Sequence, residues 1–223
     1  MLLIYFFSKI TTCLQKCERI IMQNGMNRIK GGDTYMTQYK GVYCVTDDLY
    51  KISNARFSKK IELGKGKNYG IWIGEEPYTV VSVEAAFWNP FNVAYIFGKV
   101  FYIGNGDMLI IVDLSTLEYR IIQFTLYFGY FFEYQSLLFV SSDSEVVCFQ
   151  ENGNVKWRTE KLAIDGITFC ECDNEKLVVS CCMNPCPALW CQKSLSLADG
   201  LCLGKGKYIS KSDKPKDGEK KWH

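Results

Sequence analysis

The chain has 223 residues, 26 basic against 24 acidic for a net charge of +2, with 48% hydrophobic and 15% aromatic residues. This length supports a sizeable core, the apolar share excludes a disordered chain, and the charge balance excludes nucleic-acid binding through bulk charge. The single histidine is His223, the last residue, so triads, Cys-His dyads and multi-histidine metal sites have no interior imidazole to use.

Met1–Phe7 is apolar, but no basic residue precedes it and Lys9 follows, so no secretory signal is expected. The cysteine count, eleven, is odd, and thiols in a reducing cytosol are the simpler account. A cytoplasmic location is therefore expected. Apolar residues at Ile10, Cys13, Leu14, Cys17, Ile20 and Ile21 form a helical stripe, with Ser8 as N-cap and Asn24-Gly25 as the stop. Residues 1–31 are read as a short amphipathic helix and linker.

From Gly32 the pattern changes to short runs dense in Val, Ile, Tyr and Phe, separated by turn residues. The runs are Tyr69–Gly74, Thr79–Val83, Val93–Phe97, Lys99–Gly104, Met108–Leu114, Leu137–Ser141, Glu145–Phe149 and Lys176–Cys181. Residues 32–204 are predicted to be one all-β domain, and 205–223 a lysine-rich flexible tail. Ile121–Val140 is long enough to span a bilayer, with Glu133 its only charge. Gln123, Thr125 and Gln135 argue against that, and the segment reads as two strands joined at Gly129. No membrane span is expected.

Three units repeat, starting at Val100, Leu137 and Leu177, each running strand, turn, strand, turn, strand. The spacing is that of a propeller blade, and residues 33–204 suffice for about four blades of roughly 40–45 residues. Met108–Val112 is apolar on both faces, as an inner strand should be. Asn154–Glu160 alternates, with Val155, Trp157 and Thr159 on one face, as a half-exposed outer strand should. An open blade stack and a β-sandwich built of similar hairpins are the rival architectures.

Val147-Cys-Phe-Gln-Glu-Asn-Gly153-Asn-Val-Lys-Trp157 resembles the tryptophan-docking motif of pyrroloquinoline-quinone-type propeller repeats, A-x-D-x-x-T-G-x-x-x-W. Gly153 and Trp157 match, with Phe149 and Asn152 in place of the Asp and Thr. In the preceding unit Asp113 and Thr116 match, with Leu117 and Ile121 in place of the Gly and Trp; in the last unit only Gly200 matches. The resemblance covers about residues 98–204 and implies a propeller-like fold of antiparallel blades. It brings no quinone site, because no residue set matches one. Trp157-Arg-Thr-Glu-Lys-Leu-Ala-Ile-Asp165-Gly166 is also similar to the core of an uncharacterised bacterial protein family of unknown activity.

Four thiols are candidate ligands for a structural zinc: Cys170 and Cys172, two apart on one strand face, with Cys182 and Cys186 on a Pro-containing loop. The competing reading is small core residues. Leu63-Gly-Lys-Gly-Lys67 and Leu203-Gly-Lys-Gly-Lys207 lack the Walker spacing and read as exposed turns. Acid pairs at Asp47-Asp48 and Glu75-Glu76, and the run Glu171, Asp173, Glu175, are available to a hydrolase only if two converge in a cleft. Asp113 and Asp165 are read as turn-stabilising. No catalytic or cofactor-binding residue is nominated, and no cofactor is expected. The leading expectation is a non-enzymatic, cytosolic module that binds another protein, with a toxin-neutralising immunity protein as one concrete version. No nucleic-acid partner is expected. The alternatives are a carboxylate-dependent hydrolase or lyase, and a zinc or redox module built on the cysteines.

Overall fold

The computed structural model describes residues 37–40, 42–84 and 94–209. The chain divides into two units, 1–34 and 35–223, and every described residue belongs to the second. The helix expected over 8–24, the linker to residue 31 and residues 210–223 of the expected tail lie outside the described residues; residues 205–209 of that tail are described and include a short strand at Lys207–Tyr208.

Apart from one short helix, the regular structure of the described residues is β, in four sheets that follow one another along the chain. The first holds β1 (Thr37–Lys40), β2 (Tyr43–Thr46), β3 (Lys59–Glu62), β4 (Gly66–Ile73) and β5 (Glu76–Glu84), in the order β1-β2-β4-β5-β3. The other three are four-stranded meanders: β6 (Ala94–Phe97) to β7 (Val100–Asn105), β8 (Met108–Asp113) and β9 (Tyr119–Gln123) in the second. The third runs β10 (Phe128–Tyr134), β11 (Leu137–Ser142), β12 (Val146–Gln150), β13 (Val155–Arg158). The fourth runs β14 (Ile167–Cys172), β15 (Lys176–Pro185), β16 (Ala188–Ser196), β17 (Lys207–Tyr208). Between β2 and β3 sits one short helix, α1 (Leu49–Ser53), whose first turn is capped by the Asp48 carboxylate.

Each sheet packs on the next through its own apolar core. Val45, Ile71, Val81, Phe101 and Ile103 fill the space between the first and second sheets. Tyr102, Leu109, Phe128, Leu138 and Phe149 do so between the second and third, and Phe139, Cys148, Trp157, Leu177 and Leu195 between the third and fourth. Middle strands therefore carry apolar residues on both faces: every residue of β7 is buried. That is the pattern of stacked propeller-like blades. The three described cores join successive sheets, and among the described residues the fourth sheet is not closed onto the first.

Several local expectations are corrected. The first sheet is not purely antiparallel, because β3 returns after α1 and pairs parallel to β5. Ile121–Val140 contributes to three strands, not two. Gly129 lies inside β10, at a bulge where its missing Cβ leaves room for the Ser141 hydroxyl, and the chain reverses at Gln135, φ +52°. Val155 and Trp157 do not share an environment: a register shift in β12–β13 breaks the alternation, burying Trp157 while Val155 stays exposed. The outer strand of the fourth sheet is β17; Leu201–Leu203, where the sequence repeat places the last strand of the third unit, makes only a single bridge from Cys202 to Leu195. Finally, the repeat is phased one strand earlier than the sequence units, with β6, β10 and β14 opening the blades. No described helix is long and apolar enough to cross a membrane.

Candidate functional site

The blades are fastened by one recurring contact. Trp157 of β13 points at the fourth sheet, and its Nε1 donates to the Leu197 carbonyl at 3.1 Å. Its ring lies over Gly200, where an added Cβ would come within 2.6 Å of Cε3 and where φ is +76°. Only glycine meets both demands. Arg120 of β9 does the equivalent toward the third sheet, its Nη2 donating to the Gly153 carbonyl, and Tyr78 of β5 donates to the Leu114 carbonyl of the second at 2.8 Å. Each acceptor lies in the turn between the third and fourth strands of the following sheet. Those turns carry a left-handed residue at Leu117, Gly153 and Gly200.

This places the motif residues. Gly153 (φ +82°) and Trp157 occupy docking positions, one as acceptor and one as donor. Asp113 accepts from the Ser115 and Thr116 amides, and the Thr116 hydroxyl accepts from the Glu118 amide, forming the β8–β9 turn. The docking residue of the second sheet is Arg120, not Ile121: Arg120 pairs with Ile111 as Trp157 pairs with Cys148. The bulge in β13 adds one residue between turn and dock, so a fixed motif spacing selects the wrong neighbour in regular β9.

At one end of the third sheet, Asp143 in the β11–β12 turn ties that turn to the linkers that precede and follow the sheet. The Asp143 carboxylate accepts from the Leu126 amide at 3.2 Å, its own amide donates to the Tyr127 carbonyl, and its carbonyl accepts from the Gly166 amide at 2.6 Å. The Ile164 amide donates to the Cys182 carbonyl at 2.8 Å, and the Cys182 amide donates to the Gly166 carbonyl. Tyr127 donates its hydroxyl to Asp165 at 3.0 Å, beside the open backbone of Gly166, φ +106°. Burial, and then the Asp165 charge, push the Tyr127 hydroxyl well above the ordinary phenol range. Arg158 forks onto Glu145 at 2.5 and 2.6 Å beneath the same rim. Asp143 is only 2% exposed, whereas Leu126 is 60%, Ile164 50% and, on the adjoining β15–β16 hairpin, Leu189 41% exposed. Rigid polar bonding thus holds apolar side chains outward.

A second cluster joins three opening strands. Lys40 of β1 bridges both oxygens of Glu133 of β10 at 2.6 and 2.7 Å, and Tyr95 of β6 donates to the same carboxylate at 2.5 Å. Lys40 also sits 5.9 Å over the Tyr95 ring. The carboxylate is satisfied by a cation and a phenol, an arrangement that links blades.

The remaining candidate residues are dispersed. Asp48 caps α1, Asp47 pairs with Lys67 at 3.3 Å, and Asp173 accepts from the Glu175 and Lys176 amides, which hold its carboxyl below the usual range. Cys170 is the bulged residue of β14, so it and Cys172 do not share a simple strand face; Cys172 packs with Phe169 into the third–fourth core. Cys182 is buried on β15 and Cys186 is exposed in the next turn. Burial pushes the thiols of Cys172 up to about 11 and of Cys148 and Cys181 up to about 12. Among the described residues no group of three or more His, Cys, Asp or Glu is arranged to hold a metal ion. Sequence reasoning missed Asp143, Arg120 and Tyr78. Ser142-Asp143-Ser144 has the composition of an ordinary turn between the runs Leu137–Ser141 and Glu145–Phe149, and Arg120 and Tyr78 sit in strands without motif.

No family model and no curated protein matches the chain. Among solved structures it is similar to BamB from Moraxella catarrhalis (14% identity, TM-score 0.38, covering 66% of this chain and 47% of that one). It is also similar to Kluyveromyces lactis Hsv2 (11%, 0.45, 79% and 53%) and the N-terminal domain of Nup159 (10%, 0.40, 84% and 54%). These are β-propeller-type proteins. The chain spans about half the length of the solved structures it matches.

Proposed function

We propose that the protein is a non-enzymatic interaction module that binds another protein through the Asp143-braced rim. The observation that carries this reading is the exposure of Leu126 and Ile164 on linkers whose Leu126, Ile164 and Gly166 amides are hydrogen-bonded to Asp143 and Cys182, with Leu189 exposed at the start of the neighbouring β16. A pre-ordered apolar surface loses little entropy on binding, which is what a standing interface needs. The mechanism is occlusion and uses no cofactor, metal or catalytic residue. The finer form of the proposal is a toxin-neutralising immunity-type protein of the bacterial cytosol. A compact protein with a rigid rim can block another's active site by coverage alone.

The test is crosslinked capture from native cytosol with wild-type protein and a Leu126→Asp/Ile164→Asp variant of matched melting temperature. A near-stoichiometric partner lost in the variant supports the reading. A partner retained equally by the variant, or none in repeated captures, counts against the rim.

A further inference from the structure

The four sheets end in outer edge strands that differ in how they are protected. β3 presents Lys59, Lys60 and Glu62 to solvent, β13 carries a bulge with exposed Lys156 and Arg158, and β17 is two residues long. Charge, bulging and shortness are the ordinary defences against edge pairing. β9 is the least protected of the four, because its one charge, Arg120, is drawn onto the Gly153 carbonyl of the third sheet. It is five residues long, its register with β8 runs unbroken from Tyr119 to Gln123, and Tyr119 is 52% and Ile121 47% exposed.

Hydrogen bonding on either side of this strand fixes which backbone groups are open. The Asp113 amide donates to the Glu118 carbonyl and the Phe124 amide to the Asp107 carbonyl, so residues 118, 120, 122 and 124 turn their backbone toward β8. Tyr119, Ile121 and Gln123 consequently turn theirs outward, on the edge where their side chains are also exposed. The Gln123 carbonyl takes one long bond from Arg158, 3.3 Å.

We infer that β9 pairs with β9 of a second copy of this chain, antiparallel about a two-fold axis at Ile121. The strand is self-complementary in that register. Outward-facing Ile121 meets its own copy, and Tyr119 meets Gln123, so open donors meet open acceptors except at the Gln123 carbonyl, which accepts from Arg158 as well and has a second lone pair for the partner strand. On the other face Arg120 lies opposite Ile122, so no like charges stand directly across from each other. The pairing covers the exposed Ile121 and Tyr119 and joins the two second sheets into one continuous sheet. Two five-residue strands are about 17 Å long and cover less than a standard interface, so the dimer is weak, with a dissociation constant of about 10–100 μM. This inference is independent of the rim.

Sedimentation velocity on the full chain from about 1 to 200 μM, across the range expected for so small an interface, tests it. The wild type should pass from monomer to dimer over that range. Ile121→Lys and Ile121→Glu, at a half-exposed position that leaves the fold intact, should each shift the midpoint at least about tenfold upward. An equimolar mixture of the two should dimerise again, because Lys then faces Glu. A wild type monomeric throughout overturns the inference, as does a dimer indifferent to Ile121→Lys or a mixture that stays monomeric.

Discussion

The two interfaces flanking the third sheet are fastened at the same place by different chemistry. Toward the fourth sheet, Trp157 fills the dock with a ring that stacks on Gly200 and an Nε1 that finds the Leu197 carbonyl. From the second sheet, Arg120 reaches Gly153 with a guanidinium, and the neighbouring Tyr102 hydroxyl is buried without a partner among the described residues. One dock is large, apolar and satisfied; the other is a hydrogen bond beside an orphan phenol. Similar stacking is thus achieved with unequal local stability, and the third–fourth contact carries more of it.

Substitutions can break that asymmetry in graded steps. Trp157→Ala should cost about 3–5 kcal/mol by denaturant unfolding, through the cavity left against Gly200 and the lost indole bond. Gly200→Ala should cost about 2–4 kcal/mol, because a left-handed residue acquires a Cβ and that Cβ strikes the indole. Arg120→Ala should cost only about 1 kcal/mol, the scale of one partly exposed hydrogen bond. Tyr102→Phe should stabilise by about 1 kcal/mol, since it removes a buried hydroxyl that no described residue satisfies. Were Arg120→Ala to match Trp157→Ala, the claimed difference between the docks would be wrong.

Alkaline pH sharpens the same comparison, because the third–fourth core holds the thiols. Cys172, pushed up to about 11, and Cys148 and Cys181, up to about 12, stay protonated in the fold well above the ordinary thiol value of about 8.5. Between these values the unfolded chain loses protons that the native chain keeps. Their contribution is therefore complete below about pH 8.5 and declines as pH rises toward 11–12. The melting temperature should fall progressively above about pH 9, and Cys148→Val should flatten that slope.

The blades were legible because β-branched and aromatic runs alternate with Gly, Asn and Asp turns, as at Met108–Asp113 and Val146–Gln150. Double-faced apolarity marked the middle strands for the same physical reason that buries them. The bulges at Gly129, Cys170 and within β13 left no trace in the pattern, since one inserted residue changes facing without changing composition. Arg120 was hidden by that effect: the motif spacing assumed a bulge that β9 lacks. The rim was hidden differently. Ser142-Asp143-Ser144 reads as a solvated turn, yet all three residues are buried, because linkers more than fifteen positions away in either direction fold back over them.

The proposed interface requires the rim to be a pre-formed binding face, and amide hydrogen exchange on the protein alone and on its captured complex tests this most directly. The Leu126, Ile164 and Gly166 amides, bonded to Asp143 and Cys182, should exchange on the sheet timescale in the isolated protein and more slowly still in the complex. Fast exchange in these linkers, or protection confined to another surface of the complex, would contradict it.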